Sequence, residues 1–134
     1  MKITTFETEK HYETLSGWWE RHAVPAVPLA ILPTFGAFVG VGDTNIAVGF
    51  VYFSKDNKLG VVDWITTNPD MATGPTTREA VARLLGYFEH LAKSEGCHNL
   101  MSFVAKDTGL YRFMVRAGWQ DPKSTAHVYL CKSW

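Results

Sequence analysis

No excess of either charge runs through this chain of 134 residues: thirteen Lys and Arg stand against thirteen Asp and Glu. Nucleic-acid binders usually carry a basic surplus that displaces counterions; there is none here and no run of Lys or Arg suggests a local patch, so that class stands well behind the others. Cysteine is nearly absent. Cys97 and Cys131 are too few to define a disulfide framework and read as two buried thiols of a cytosolic protein, although the residues alone leave a bridge between them open. No window approaches the roughly 20 apolar residues of a membrane span. Residues 1–7 lack the apolar core of a signal peptide, so the expectation is a soluble, cytoplasmic protein. The five histidines show no metal-ligand spacing, and no metal is expected. Repeats, low-complexity tracts and linkers are missing too, which points to a single domain over residues 1–134.

What is present is the material of a folded core. Hydrophobic residues make up 46% of the chain and charged residues 19%, a globular rather than a disordered balance. Residues 2–6 alternate weakly and predict a strand. Residues 10–22 predict a helix with Tyr12, Leu15, Trp18, Trp19 and His22 along one side. Pro25, Pro28 and Pro33 then impose a surface connector. Residues 34–41 and 45–54 predict strands joined by Gly42-Asp43-Thr44, and Asp56-Asn57-Lys58 turns the chain into a third strand over 59–67, giving an antiparallel meander. Nearly every position from Ile46 to Phe53 is apolar, so the middle strand is expected to be covered on both faces.

A long helix over 77–94 follows, with Val81, Leu84, Leu85, Phe88 and Leu91 on one face. Thr76 and Glu79 form a capping-box pattern at its start, and Gly96 is a natural stop. A strand over 99–105, a short helix over 108–117 capped by Asp107 and ended by Gly118, and a strand over 126–132 complete an α+β domain. Its order is β-α-β-β-β-α-β-α-β. The stretch from Val61 to Trp119 says most about function. A strand, the break Asn68-Pro69 and a loop of small residues lead into a helix N-terminus, where backbone N–H groups and the helix dipole favour an anion. A cofactor carrying phosphates is the ligand this suggests.

That order of elements resembles the GNAT superfamily of acyl-CoA-dependent N-acetyltransferases, over essentially the whole chain. Asp63-Trp64-Ile65-Thr66-Thr67-Asn68-Pro69 resembles the fourth strand of the superfamily, which often carries an acidic residue six positions before a proline. The run from Asp107 to Trp119 resembles its last helix, which closes on a glycine and an aromatic. Leu32-Pro33-Thr34-Phe35-Gly36, followed by Gly49-Phe50-Val51-Tyr52, is similar to a divergent set of short acetyltransferase-like proteins of phage genomes. The resemblance implies an α/β/α sandwich with a mixed, mainly antiparallel sheet. Its fourth and fifth strands are parallel and splay apart to admit the pantetheine arm of acetyl-CoA.

On that resemblance, the backbone of Ile65, Thr66 and Thr67 would hold the pantetheine arm. Met71-Ala72-Thr73-Gly74-Pro75-Thr76 is the nearest match to the pyrophosphate loop; it keeps one glycine and lacks the usual Arg or Gln. Gly74, Thr76 and Thr77 would offer donors and Arg78 a charge, while Pro75 has no N–H. The bland account, that Thr76 merely caps a helix and Arg78 faces water, stays open. Asp63 stands where the superfamily often has its base, or a residue holding a water that acts as one; exposure or a lysine pair is the alternative. The usual acid, a Tyr four residues before the closing glycine, is replaced by Met114, which is expected to pack, with the cofactor as one surface it could pack against. Tyr111, one turn away, is the remaining candidate acid.

Cys97-His98 begins a strand, and the sequence does not show the base and electropositive setting that a Cys97 nucleophile would need. Trp18, Trp19 and His22 read as core and rim, and residues 25–33 mark where an acceptor would be selected. The implied activity is transfer of an acetyl group from acetyl-CoA to a primary amine, small or protein-borne, in a ternary complex. The alternative is a non-catalytic module of the same fold that binds a partner protein. Superfamily members often form homodimers, and a phage-encoded form would act in the host cytoplasm.

Overall fold

The computed structural model describes residues 1–71, 74–121 and 127–134. The elements run β1 (Lys2–Thr5), α1 (Thr8–Arg21), a 3-10 turn (Leu29–Ile31), β2 (Phe35–Val41), β3 (Thr44–Phe53), β4 (Leu59–Thr67), α2 (Pro75–Ser94), β5 (Asn99–Ala105), α3 (Gly109–Arg116) and β6 (His127–Ser133). The strands form one sheet in the order β1-β2-β3-β4-β5-β6, so the mixed α+β architecture is the expected one. The chain divides into two compact units, residues 1–51 with 64–86 and residues 52–63 with 87–134. β3, β4 and α2 each run from one unit into the other.

In the first unit β1 pairs antiparallel with β2, Lys2 opposite Gly40, and β2 pairs antiparallel with β3, from Phe35 opposite Val51 to Val41 opposite Thr44. The turn between β2 and β3 is therefore the two residues Gly42-Asp43, with Thr44 already in the strand rather than in the turn. Covering on both faces of β3 holds from Ile46 to Val51 and ends at Tyr52, which is 45% exposed. α1 contributes Leu15, Trp18 and Trp19 to a cluster with Phe6, Val27, Phe38, Val48 and Phe50. Phe38 lies at its centre, with the rings of His11, Phe6 and Trp18 at 5.1, 5.5 and 5.8 Å. Gly36 sits opposite Phe50, and a Cβ there would come within 2.5 Å of the Phe50 ring. Packing against Phe50 thus accounts for the glycine at position 36.

In the second unit β4 runs parallel to β5, from Leu59 opposite Asn99 to Val62 opposite Ser102, and β5 pairs antiparallel with β6. α2 buries Val81, Leu84, Leu85 and Phe88 as its periodicity predicts, while Leu91 is only half-buried. Both expected helix starts shift. α2 begins at Pro75, whose fixed φ and missing N–H suit the first helical position. The Gly74 carbonyl accepts from the Arg78 N–H at 3.0 Å, which makes Gly74 the cap. Thr76 is thus inside the helix, no capping box forms, and Glu79 bonds Arg83 one turn on. α3 is capped by Thr108, whose hydroxyl accepts from the Tyr111 N–H at 3.2 Å. Asp107, the expected cap, lies one residue outside with its carbonyl taken by Arg112.

All three α-helices end alike. Ala23, Gly96 and Gly118 take φ of +56°, +80° and +100°, and the next N–H returns to a carbonyl of the last turn. These bonds run from Val24 to Trp19, Cys97 to Ala92 and Trp119 to Met114, at 2.9–3.0 Å. The Gly118-Trp119 ending is therefore a helix stop whose outer residue, Trp119, is buried, as is Met114. Only α1 uses a residue with a Cβ, at a cost of roughly 1–2 kcal/mol. Glycine's greater unfolded-state freedom offsets part of that cost. Ala23→Gly is expected to stabilise the protein by about 0.5–1 kcal/mol, read as a higher urea midpoint at unchanged slope.

Candidate functional site

β4 changes character along its length. Its parallel ladder with β5 covers four residue pairs and ends at Val62 opposite Ser102, although the strand continues to Thr67. Two residues on, Trp64 has a φ of +58°, a conformation that side chains with a Cβ rarely adopt. The extended backbone is broken at that point, where the sequence shows only an apolar strand.

The strand end beyond the break is held by the last turn of α1. Trp19 Nε1 donates to Thr66 Oγ1 at 3.1 Å, and the Thr66 hydroxyl donates to the Trp64 carbonyl at 3.0 Å. His22 Nε2 lies 2.7 Å from the Thr67 carbonyl. A carbonyl only accepts, so Nε2 carries the proton. Arg21 pairs with Asp70 in the following loop. Asn68 then fixes the turn with four bonds. Its N–H and Nδ2 donate to the carbonyls of Ile46 and Asn45, both at 2.8 Å. Its Oδ1 and carbonyl accept from the N–H groups of Asp70 and Met71, at 2.9 and 3.1 Å. That is the Asx-turn chemistry expected of Asn before a break.

From here the chain reaches the α2 N-terminus. Of the residues expected to hold a cofactor, Ile65 and Thr67 are half-buried on β4, and Thr66 is buried with its hydroxyl committed at both ends. Gly74 is the helix cap, Thr76 and Arg78 are exposed on the first turn, and the Thr77 side chain is buried. Thr76 and Arg78 are therefore the expected donors whose side chains are exposed at this helix end, while that of Thr77 is buried. Ala72 and Thr73 lie outside the described residues.

The second unit holds the other named residues. Asp63, the last residue of this unit on β4, is half-buried. The Tyr111 hydroxyl donates to the Asp121 carboxylate, and that bond is the main reason its pKa rises above the ordinary tyrosine value. Met114 is fully buried, in keeping with the expectation that it packs. Cys97 is a free, buried thiol whose pKa is pushed up by burial, the opposite of an activated nucleophile.

Trp18 and Trp19 are core residues. In the proline connector the Tyr12 hydroxyl donates to the Val27 carbonyl at 2.7 Å, and Leu29 and Ile31 stand 51% and 59% exposed beyond it. Sequence reasoning missed the break at Trp64 and the bonds from Trp19 and His22. It read Asn68 as a simple break, although Asn-Pro already marks a side-chain-closed turn. Among the described residues no group of three or more His, Cys, Asp or Glu could hold a metal ion, and no helix is long and apolar enough to cross a membrane.

No family model matches the sequence, and no curated protein does. Solved structures do. The ribosomal-protein-S18-alanine N-acetyltransferase from Escherichia coli is similar at a TM-score of 0.72 and 14% identity, over 97% of this chain and 90% of that one. The aminoglycoside 6'-N-acetyltransferase from Enterococcus faecium is similar at 0.73 and 12%, over 99% and 97%. An aminoglycoside 6'-N-acetyltransferase complexed with coenzyme A is similar at 0.75 and 11%, over 99% and 97%. At these identities the likeness establishes a shared fold over nearly the full length of this chain.

Proposed function

We propose that this chain, whose fold is that of the GNAT N-acetyltransferases, moves an acetyl group from acetyl-CoA to a primary amine. The observation that carries the reading is the broken end of β4. Pairing with β5 stops at Val62, the backbone turns at Trp64, and the strand leads through the Asn68 turn to a 20-residue helix with Arg78 on its first turn. These residues fit the cofactor's chemistry: a strand backbone for its amide-bearing arm and a cationic helix start for its phosphates.

Bound acetyl-CoA supplies a thioester carbonyl open to attack by an uncharged amine. The backbone of Ile65, Thr66 and Thr67 holds the pantetheine arm, and donors there polarise the thioester carbonyl. Gly74, Thr76, the Thr77 backbone and Arg78 meet the pyrophosphate. Asp63, directly or through a water, takes the proton that the amine loses. The Tyr111 hydroxyl is engaged as a hydrogen-bond donor to Asp121, so the departing thiolate is assigned a proton from solvent. Residues 25–33 select the acceptor, a small amine or a protein. Residues 1–134 act as one domain, a short form like those of phage genomes, in the cytoplasm and as a homodimer.

A second reading, a non-catalytic module that binds a partner protein, is favoured by one observation. The position of the usual acid is a buried Met114, and the nearest tyrosine hydroxyl is engaged.

The deciding measurement is thermal unfolding with and without millimolar acetyl-CoA, with ATP as the control anion. Acetyl-CoA at about 100 times its dissociation constant adds about 2.7 kcal/mol, which raises the midpoint by several degrees. A shift specific to acetyl-CoA supports the cofactor site. No shift in a folded, ligand-free sample overturns it. Asp63→Ala is expected to keep the shift and lose turnover once an acceptor is found.

A further inference from the structure

Trp19 lies on α1, 47 residues before Thr66, and is 3% exposed; Thr66 is 8% exposed. An indole N–H can only donate, so the Thr66 oxygen must accept from it. The hydroxyl proton then has one place to go, the Trp64 carbonyl at 3.0 Å. The three groups form a directed chain, Trp19 N–H to Thr66 O–H to Trp64 C=O. That carbonyl belongs to the residue whose φ is +58°, the break in β4. A peptide unit is planar and trans, so fixing its carbonyl also fixes the opposed N–H, here that of Ile65.

From this we infer that Trp19 and Thr66 are positioning residues for the acetyl-CoA site: through the Trp64 carbonyl they hold the Trp64–Ile65 peptide in its broken-strand orientation. The inference rests on the cofactor reading above, because Ile65 is among the backbone groups assigned to the bound thioester. Neither side chain needs to touch the ligand. Both act through the peptide plane, and a residue with a φ of +58° and a Cβ needs such support. The arrangement also accounts for a buried threonine in a strand whose other buried members, Gly60, Val61 and Val62, are apolar.

The test uses Thr66→Val, which keeps the β-branched shape and removes the hydroxyl, with Thr66→Ser as the conservative rescue and Trp19→Phe as the donor deletion. Acetyl-CoA affinity is measured by calorimetric titration, and amide exchange of Ile65 is followed by NMR in the ligand-free protein. Thr66→Val and Trp19→Phe are expected to bind acetyl-CoA about tenfold more weakly, the equivalent of one hydrogen bond. Exchange at Ile65 is expected to speed up in both while core amides of β2 and β3 keep their protection. Thr66→Ser is expected to restore both readouts. A merely structural role would loosen the core amides together with Ile65.

Unchanged binding and unchanged Ile65 exchange in Thr66→Val, with wild type binding acetyl-CoA, overturn this inference and leave the cofactor reading standing. Failure of the wild-type chain to bind acetyl-CoA overturns the cofactor reading, and this inference with it. If Trp19→Phe does not fold, the Val and Ser variants at position 66 still decide between these outcomes.

Discussion

Phe38→Ala is expected to cost about 3–5 kcal/mol of unfolding free energy, a large share of the roughly 5–15 kcal/mol that holds a domain of this kind together. Phe38 is fully buried and meets rings from three directions: Phe6, His11 and Trp18. Truncation removes apolar area and leaves a hole that α1 and the β2–β3 hairpin cannot both collapse to fill. Urea unfolding should show a lower midpoint at an unchanged slope, with Phe38→Leu well above Phe38→Ala. A loss under about 1 kcal/mol for the alanine variant would be incompatible with a close-packed core at this position. The consequence reaches the proposed cofactor site, because Trp18 and Trp19 enter the same cluster, and Trp19 carries the bond to Thr66.

Asn68→Ala should act on stability and binding together. The substitution leaves both backbone bonds and removes both side-chain bonds, from Nδ2 to Asn45 and from Asp70 to Oδ1. With each lost bond worth about 0.5–1.5 kcal/mol net, and more where the partner is left buried, a loss of about 2 kcal/mol is expected. The turn that these bonds fix connects the broken strand to the first turn of α2, so acetyl-CoA affinity should fall by about tenfold as well. Asn68→Asp separates the two bonds, since it keeps the acceptor for Asp70 and loses the donor to Asn45. Calorimetric titration beside urea unfolding reads both effects. Full affinity in a destabilised Asn68→Ala protein would remove the turn from the proposed site.

What the sequence made legible follows from how local each signal is. β4 and β5 are bounded by break residues close in sequence, and their ends were read correctly. Gly96 and Gly118 announced helix stops because the closing motif spans only about six residues and needs a left-handed position. Helix starts were harder, since neighbouring residues compete for the cap. Pro75 displaced the Thr76–Glu79 pattern by fitting the first helical position, and Thr108 displaced Asp107 from one residue away.

The candidate site was legible only as a location. The loop and helix start after β4 were marked by composition, while exposure of Arg78 was one of two open alternatives. The Trp19–Thr66 bond spans 47 residues, and nothing in a run of apolar residues signals that a tryptophan will take a positive φ. The burial of Thr77 and the partner of Tyr111 likewise depend on packing and lie beyond any local pattern.

β1 is four residues long, exposed throughout, and lies at one margin of the sheet. Its neighbour β2, Phe-Gly-Ala-Phe-Val-Gly-Val, has neither charge nor proline, the make-up of segments that stack into cross-β fibres. The short strand with Lys2 occupies the hydrogen-bonding edge that β2 would otherwise offer to other copies. Residues 2–5 thus occupy backbone groups of β2 that would otherwise be open to another strand. Their deletion would cost little buried area, and the expected result is more aggregation, read by light scattering.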